Sequence, residues 1–207
     1  MDLRFRALLH AEDWAHLPQA VRDRFSKRVG PGDMVIYRGS VTEIRANLAG
    51  RILAQVLRAI GGPLPLVFQP GPAVVTVTED RVGQGQVWTR CYMRSDGFPQ
   101  TLHSAKRFTG TTGLEEHLGF GIAMALRVTA MTKGLRFTSD HYLWRLGPVR
   151  LRLPSWMEPG RLRIEHRDLG PVPGPVGRGR FAFSLDLHHP LFGRLIHQVA
   201  EFDDPVV

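Results

Sequence analysis

Three polar side chains fall on predicted strand faces that are otherwise apolar, and these residues are the best placed to do chemistry. Glu116 alternates with the apolar residues of the segment that begins at Leu114, and alternate residues of a strand point to one face. His166 follows Ile164 in the same way, and Arg90 shares a face with two aromatic residues. A buried charge costs several kcal/mol unless it is paired. These residues are therefore either structural partners or functional groups.

Two interpretations of the three residues stay open. A third possibility is that the inward-facing positions are shifted by one residue, so that these side chains point outward. In the structural one, Arg90 pairs with Glu116 inside the fold, and His166 is hydrogen-bonded and inert. In the functional one, they converge on a pocket, where an apolar site raises the pKa of the Glu116 carboxyl and His166 titrates near neutral pH. The two could then act as acid and base, while Arg90 stabilises an enolate or a carboxylate.

Bulky aromatic residues are the second feature of the sequence that bears on function. At alternating strand positions such residues are typical of a core, and some of them can also line a ligand cavity. The candidates for ligand binding are Trp88, Tyr92, Phe120, Trp144, Phe181 and Phe183.

Metal, cofactor and nucleophile motifs are absent from the sequence. The nine histidines include the adjacent pair His188 and His189, which would point to opposite faces of a strand, and there is no His-x-His pair. The single cysteine, Cys91, is typical of a small core residue. The glycines of Gly83–Gly85 belong to a predicted hairpin turn rather than to a dinucleotide fingerprint. We therefore predict neither a metal site nor a cofactor.

The segment 114–138 must position Glu116, and we predict that it is one long strand followed by a hairpin. The turn is expected at Thr132-Lys133-Gly134, with a return strand after it. A helix is the alternative, because the segment is rich in Ala, Leu and Met. Two glycines, Gly119 and Gly121, argue against it, since each costs a helix about 1 kcal/mol relative to Ala.

Strand patterns recur from residue 73 to the end of the chain, and roughly ten strands joined by turns are typical of an antiparallel barrel. The fold class is therefore α+β, mainly antiparallel β, as a barrel or strongly curved sheet with two N-terminal helices. A helix-grip arrangement is the alternative. We expect a single domain, 1–207, with a helical part at 14–62 and a β-rich part at 73–207. The Pro-rich loops 61–73 and 170–179 are candidate lids.

The second predicted helix, from Leu48 to Ile60, has an apolar stripe. Leu48, Ile52, Val56 and Ile60 are spaced by four residues, which places them on one face. We expect this face to pack against the sheet, and a face that binds a partner is the alternative.

Charge and hydropathy limit the classes of partner. The net charge is +8, but only three of the 27 basic residues are lysines and the arginines are scattered, so nucleic-acid binding is not predicted. A solvated outer face is the simplest explanation of the charge, and an acidic membrane surface or a protein partner is the alternative. The sequence shows no signal peptide and no apolar run of about 18 residues, so we expect a cytoplasmic protein without integral membrane contact.

Several short segments carry a family resemblance. The most specific are LPSWMEPG (153–160) and HPLFG (189–193), with FAFSL (181–185) before the latter. On the basis of these segments, the chain resembles a bacterial family called domain of unknown function 4166 over nearly its whole length. The resemblance implies no activity and no catalytic residues. Because members also occur attached to nicotinamide-dependent oxidoreductase-like domains, it implies an oxidoreductase-type protein as a candidate partner.

Taken together, the residues predict a binding module or carrier for a hydrophobic small molecule, held inside a β barrel. The cavity should measure a few hundred Å³. The alternative is a cofactor-independent enzyme, of the isomerase, dehydratase or cyclase type, that uses Glu116, His166 and Arg90 in the same pocket.

Overall fold

In the computed structural model, which describes residues 1–59, 61–171 and 179–205, the chain forms a closed antiparallel barrel of ten strands with three α-helices. The helices are α1 (Ala11–His16), α2 (Gln19–Ser26) and α3 (Leu48–Arg58). The strands are β1 (Met34–Ala46), β2 (Gly71–Asp80), β3 (Gly85–Met93), β4 (Pro99–Arg107), β5 (Glu115–Gly119), β6 (Ile122–Met131), β7 (Gly134–Leu146), β8 (Val149–Arg152), β9 (Arg161–Pro171), β10 (Gly179–His189) and β11 (Gly193–Asp203). The predicted fold class is confirmed.

The strand order explains how the barrel closes. Around the barrel it runs β6-β5-β4-β3-β2-β1-β11-β10-β9-β7, and β7 pairs back with β6. The first part of β7 pairs with β9, while its last part pairs with β8, which extends a hairpin beyond the barrel wall. Each barrel strand pairs with a neighbour on both sides, although β4 and β5 pair only over Ala105–Arg107, and alternate side chains of the barrel strands point into the interior.

The segment around Glu116 is a strand pair rather than the single long strand that the sequence predicts. A tight turn interrupts it at Gly119–Gly121, where all three residues have positive φ angles. Glycine reaches such angles without strain, and this explains why two of the three are glycine. The turn predicted at Thr132-Lys133-Gly134 does connect β6 to β7.

The two ends of the barrel are covered by different helices. At one end, Arg24 of α2 is ion-paired with Asp204, which follows β11. At the other end, α3 packs on the start of β11, so closely that a Cβ on Gly50 would lie 2.0 Å from the Leu195 carbonyl oxygen. We call the α3 side the loop end. It is formed by the described residues of the segments 45–71, 93–99, 119–122, 144–161 and 188–194.

The apolar stripe of α3 does not pack on the sheet, contrary to the prediction. Leu48, Ile52 and Val56 are 75%, 56% and 60% exposed. The helix instead buries Gly50 and Ala54, because small residues let its backbone approach β11 closely. The fourth residue of the predicted stripe, at position 60, lies outside the described residues, as does most of the candidate lid 170–179.

The described helices include none that is both long enough and apolar enough to cross a membrane.

Candidate functional site

A ladder of polar side chains crosses three neighbouring strands on the inside of the barrel. Trp88 of β3 lies opposite Ser104 of β4, and Lys106 of β4 lies opposite Glu116 of β5. Arg90 is two residues from Trp88 and therefore points to the same interior. Strand pairing thus brings together residues that are up to 28 positions apart in the sequence.

Glu116 is the centre of this ladder. Its carboxylate is buried, with the residue 2% exposed, and it accepts a hydrogen bond of 2.7 Å from the Ser104 hydroxyl. The Arg90 Nη2 atom lies 3.1 Å from the same oxygen, Oε1, and the Lys106 Nζ atom lies 3.2 Å from the other, Oε2. The burial of Glu116 and its pairing with Arg90 agree with the structural interpretation of the sequence. We call Arg90, Ser104, Lys106 and Glu116 the polar cluster.

The two cations determine the protonation state of Glu116. Burial works to raise the pKa of the Glu116 carboxyl, but Lys106 and Arg90 outweigh it and lower the pKa to about 2. The apolar environment alone would give the raised pKa that the functional interpretation assumes. Glu116 is therefore a carboxylate at neutral pH, and the surrounding donors hold it in that form.

Ser104 and Lys106 are the residues of the cluster that the sequence reasoning missed. The Lys106 side chain is buried and its Nζ atom lies 4.8 Å from the centre of the Trp88 ring, a cation–π geometry. Burial lowers the pKa of Lys106 and nearby Arg90 adds to this, while Glu116 opposes it. A signal was present in the sequence, because Leu102, Ser104 and Lys106 are two residues apart in β4 and therefore share one face.

A cavity of about 110 Å³ lies beside the polar cluster. Its walls are mainly apolar and come from most of the strands, while Leu57, Pro63 and Leu64 close it at the loop end. The charged residues among its described lining are Arg90, Lys106 and Glu116. The volume is smaller than the few hundred Å³ predicted, because large side chains fill much of the barrel interior.

The candidate ligand-binding residues separate into three groups. Trp88, Tyr92 and Phe183 line this cavity. Phe120 lies in the β5–β6 turn with 73% of its surface exposed, and Trp144 is 40% exposed with its indole N–H donating to the Phe120 carbonyl. These two lie outside the cavity, contrary to the expectation.

Phe181, the sixth candidate, borders a second cavity of about 30 Å³ towards α2. His166 lines that cavity as well, so the structure does not bring His166 together with Arg90 and Glu116, as the functional interpretation expected. The His166 ring stacks on Phe181 at 4.8 Å and meets Phe25 and Phe183 at 5.0 and 5.1 Å. Its burial, with a contribution from nearby Arg24, lowers the pKa of His166 to about 3. The imidazole is therefore neutral and packed as an aromatic ring.

A metal site would need several ligating side chains in one place. Across the described residues, no three His, Cys, Asp or Glu side chains form such a group. The polar cluster contains one carboxylate beside two cations, a set that suits an anion better than a metal ion.

Two comparisons with known proteins complete the description of the site. A family model described as "Domain of unknown function (DUF4166)" matches residues 17–202, which is most of the chain. A search of curated proteins found no match. The matched range contains the whole polar cluster and the strand residues that line the two cavities.

Proposed function

Because the chain belongs to the DUF4166 family, whose description names no activity, we propose its function from the geometry of the barrel: it binds a small apolar molecule that carries an anionic group. The apolar part occupies the cavity beside the polar cluster, and the anionic group contacts Arg90 and Lys106. The protein acts as a binding module or carrier for this compound.

The observation that carries the proposal is the excess of positive charge in an apolar cavity. Arg90 and Lys106 share one carboxylate, Glu116, so the protonated cluster would carry one positive charge that no other described lining residue balances. Burial and nearby Arg90 lower the pKa of Lys106, and an anion bound beside it would oppose both effects. A buried charge without a counter-charge is costly. A ligand carboxylate would supply the counter-charge and make charge-assisted hydrogen bonds, which are about twice as strong as neutral ones.

The cavity volume limits the size of the ligand. An engineered cavity of about 150 Å³ binds benzene, so about 110 Å³ suits a compound of similar size. A larger ligand requires Leu57 and the segment 61–70 to move away from the cavity. This is the part of the wall formed by α3 and a loop rather than by strands.

The enzymatic alternative has less support. It requires a proton donor and acceptor on one pocket, but His166 borders the smaller cavity and Glu116 is held as a carboxylate by three donors. A cytoplasmic location and an oxidoreductase-type partner protein stay predictions.

The proposal can be tested with benzoate and methyl benzoate, which have similar size and differ in charge. Isothermal titration calorimetry should show saturable binding of benzoate, at least about tenfold tighter than that of methyl benzoate, since tenfold corresponds to about 1.4 kcal/mol. Arg90→Met and Lys106→Met should each reduce this preference.

Arg145→Met is the matched control, because Arg145 is exposed and lies outside the cavity; it should leave both affinities unchanged. Equal binding of the ester and the acid would refute the anion site while leaving the apolar cavity in place. Failure of both compounds to bind at millimolar concentration would refute the proposed function.

A further inference from the structure

The exposed apolar side chains of the barrel are concentrated at one end. Among the described residues, twenty large apolar side chains are exposed, and fourteen of them belong to the segments of the loop end. Single exposed apolar residues are normal on any protein surface, whereas a concentration of them marks an interaction site.

Aromatic residues occupy the tips of four separate loops at this end. They are Phe98 between β3 and β4, Phe120 between β5 and β6, Trp156 between β8 and β9, and Phe192 between β10 and β11. Their exposed fractions are 74%, 73%, 80% and 58%. Trp is enriched at the headgroup level of bilayers, and Phe is typical of the apolar faces that insert there.

The outward stripe of α3 extends the same surface. Leu48, Ile52 and Val56 lie on one face of the helix and point away from β11, on which the helix packs through Gly50 and Ala54. A helix that presents an apolar face to the outside, with arginines beside it, is the arrangement by which amphipathic helices lie on membranes. Here those arginines are Arg51 and Arg58, both exposed.

The charge of the loop end distinguishes between classes of partner. Its five segments contain nine arginines and two acidic residues, whereas the N-terminal segment 1–34, at the other end, has six basic and five acidic residues. Four of the nine arginines are ion-paired with carboxylates, and the other five, Arg51, Arg58, Arg145, Arg152 and Arg161, keep this end positive. A second copy of this chain would bring the same excess of positive charge against the first, which is repulsive. An anionic lipid surface attracts each such residue by about 1 kcal/mol.

We propose that the loop end docks on an anionic lipid bilayer, with the aromatic loop tips and the α3 stripe inserted among the headgroups. The same end carries Leu57, Pro63 and Leu64, which close the cavity beside the polar cluster. Docking therefore places the cavity wall against the bilayer, where apolar compounds accumulate. The docking itself rests on the surface residues and does not depend on what the barrel binds.

The experiment is co-sedimentation with large unilamellar vesicles, made of phosphatidylcholine alone or with phosphatidylglycerol added. The protein should bind the vesicles that contain phosphatidylglycerol, with lower affinity as the salt concentration rises. Replacing both Trp156 and Phe192 by Ser should weaken binding roughly tenfold or more, because two exposed ring systems are lost. Replacing both Arg51 and Arg58 by Gln should weaken binding to vesicles that contain phosphatidylglycerol and leave binding to phosphatidylcholine vesicles unchanged.

Val82→Ser is the control, since Val82 is 90% exposed in the β2–β3 turn at the opposite end; it should bind vesicles as the wild type does. Circular dichroism and thermal melting check that each variant is folded. A protein that does not sediment with either kind of vesicle would overturn the proposal. Reversible self-association in analytical ultracentrifugation that is lost in the Trp156 and Phe192 double variant, without vesicle binding, would assign the surface to a second copy and also overturn it.

Discussion

Lys106 and Glu116 face each other across β4 and β5, with the Lys106 Nζ atom 3.2 Å from Glu116 Oε2 and 4.8 Å from the centre of the Trp88 ring. Both side chains are buried. Removing one member of a buried ion pair leaves the other as an uncompensated charge, whereas removing both can be nearly neutral. This relationship makes the stability of the barrel sensitive to the polar cluster.

Glu116→Gln should lower the free energy of unfolding by roughly 3 kcal/mol, because it leaves Lys106 and Arg90 without a counter-charge. Urea denaturation monitored by tryptophan fluorescence measures the change. Adding Lys106→Met to Glu116→Gln should recover part of the loss, since one of the two buried cations is then removed. Unchanged or increased stability in Glu116→Gln would contradict the structural role and favour the acid–base interpretation of Glu116.

The stability of the protein should fall as the pH is lowered below neutrality, and His166 should cause part of the fall. Burial, with a contribution from nearby Arg24, lowers the pKa of His166 to about 3 in the folded state, against 6.5 in the unfolded chain. The unfolded state therefore takes up a proton that the folded state does not between these two pH values. The contribution of the neutral His166 side chain to the free energy of unfolding is therefore complete above about pH 6.5 and is lost as the pH falls towards 3.

At pH 5, His166 alone should account for about 2 kcal/mol of this loss. In His166→Gln, the difference in the free energy of unfolding between pH 7.5 and pH 5 should be smaller by that amount. Some dependence of the free energy of unfolding on pH should remain in this variant because of His117, since burial lowers the pKa of that side chain as well. An identical pH dependence in the wild type and in His166→Gln would show that the imidazole is not held neutral inside the barrel.

Gly50→Ala should destabilise the protein although alanine is the better helix former. Alanine is favoured over glycine by about 1 kcal/mol within a helix, but the added Cβ would lie 2.0 Å from the Leu195 carbonyl oxygen. The contact involves the backbone of both elements, so α3 must move, at a cost of about 1–3 kcal/mol beyond the propensity gain. Thermal melting measures the net loss. Gln55→Ala, at an exposed position of α3, is the control and should be neutral or stabilising.

Alternation along the strands was enough to predict several features of the fold and the site. It indicated an antiparallel barrel, because a run of short strands with one apolar face each can bury those faces together by curving around a common interior. It placed Glu116 on an inward face. The cost of burying an unpaired carboxylate then predicted a cationic partner, and the structure has Arg90 in that place.

Other features were decided only by the tertiary structure. Alternation tells which face a side chain occupies, but the height of each residue along the barrel follows from the register between paired strands. Register places Lys106 opposite Glu116 and puts His166 beside the smaller cavity, a separation that no periodicity could indicate. The same limit applies to α3, whose apolar stripe was visible in the sequence. Which face of the helix lies inward was decided by close backbone packing at Gly50, and that packing exists only once β11 is in place.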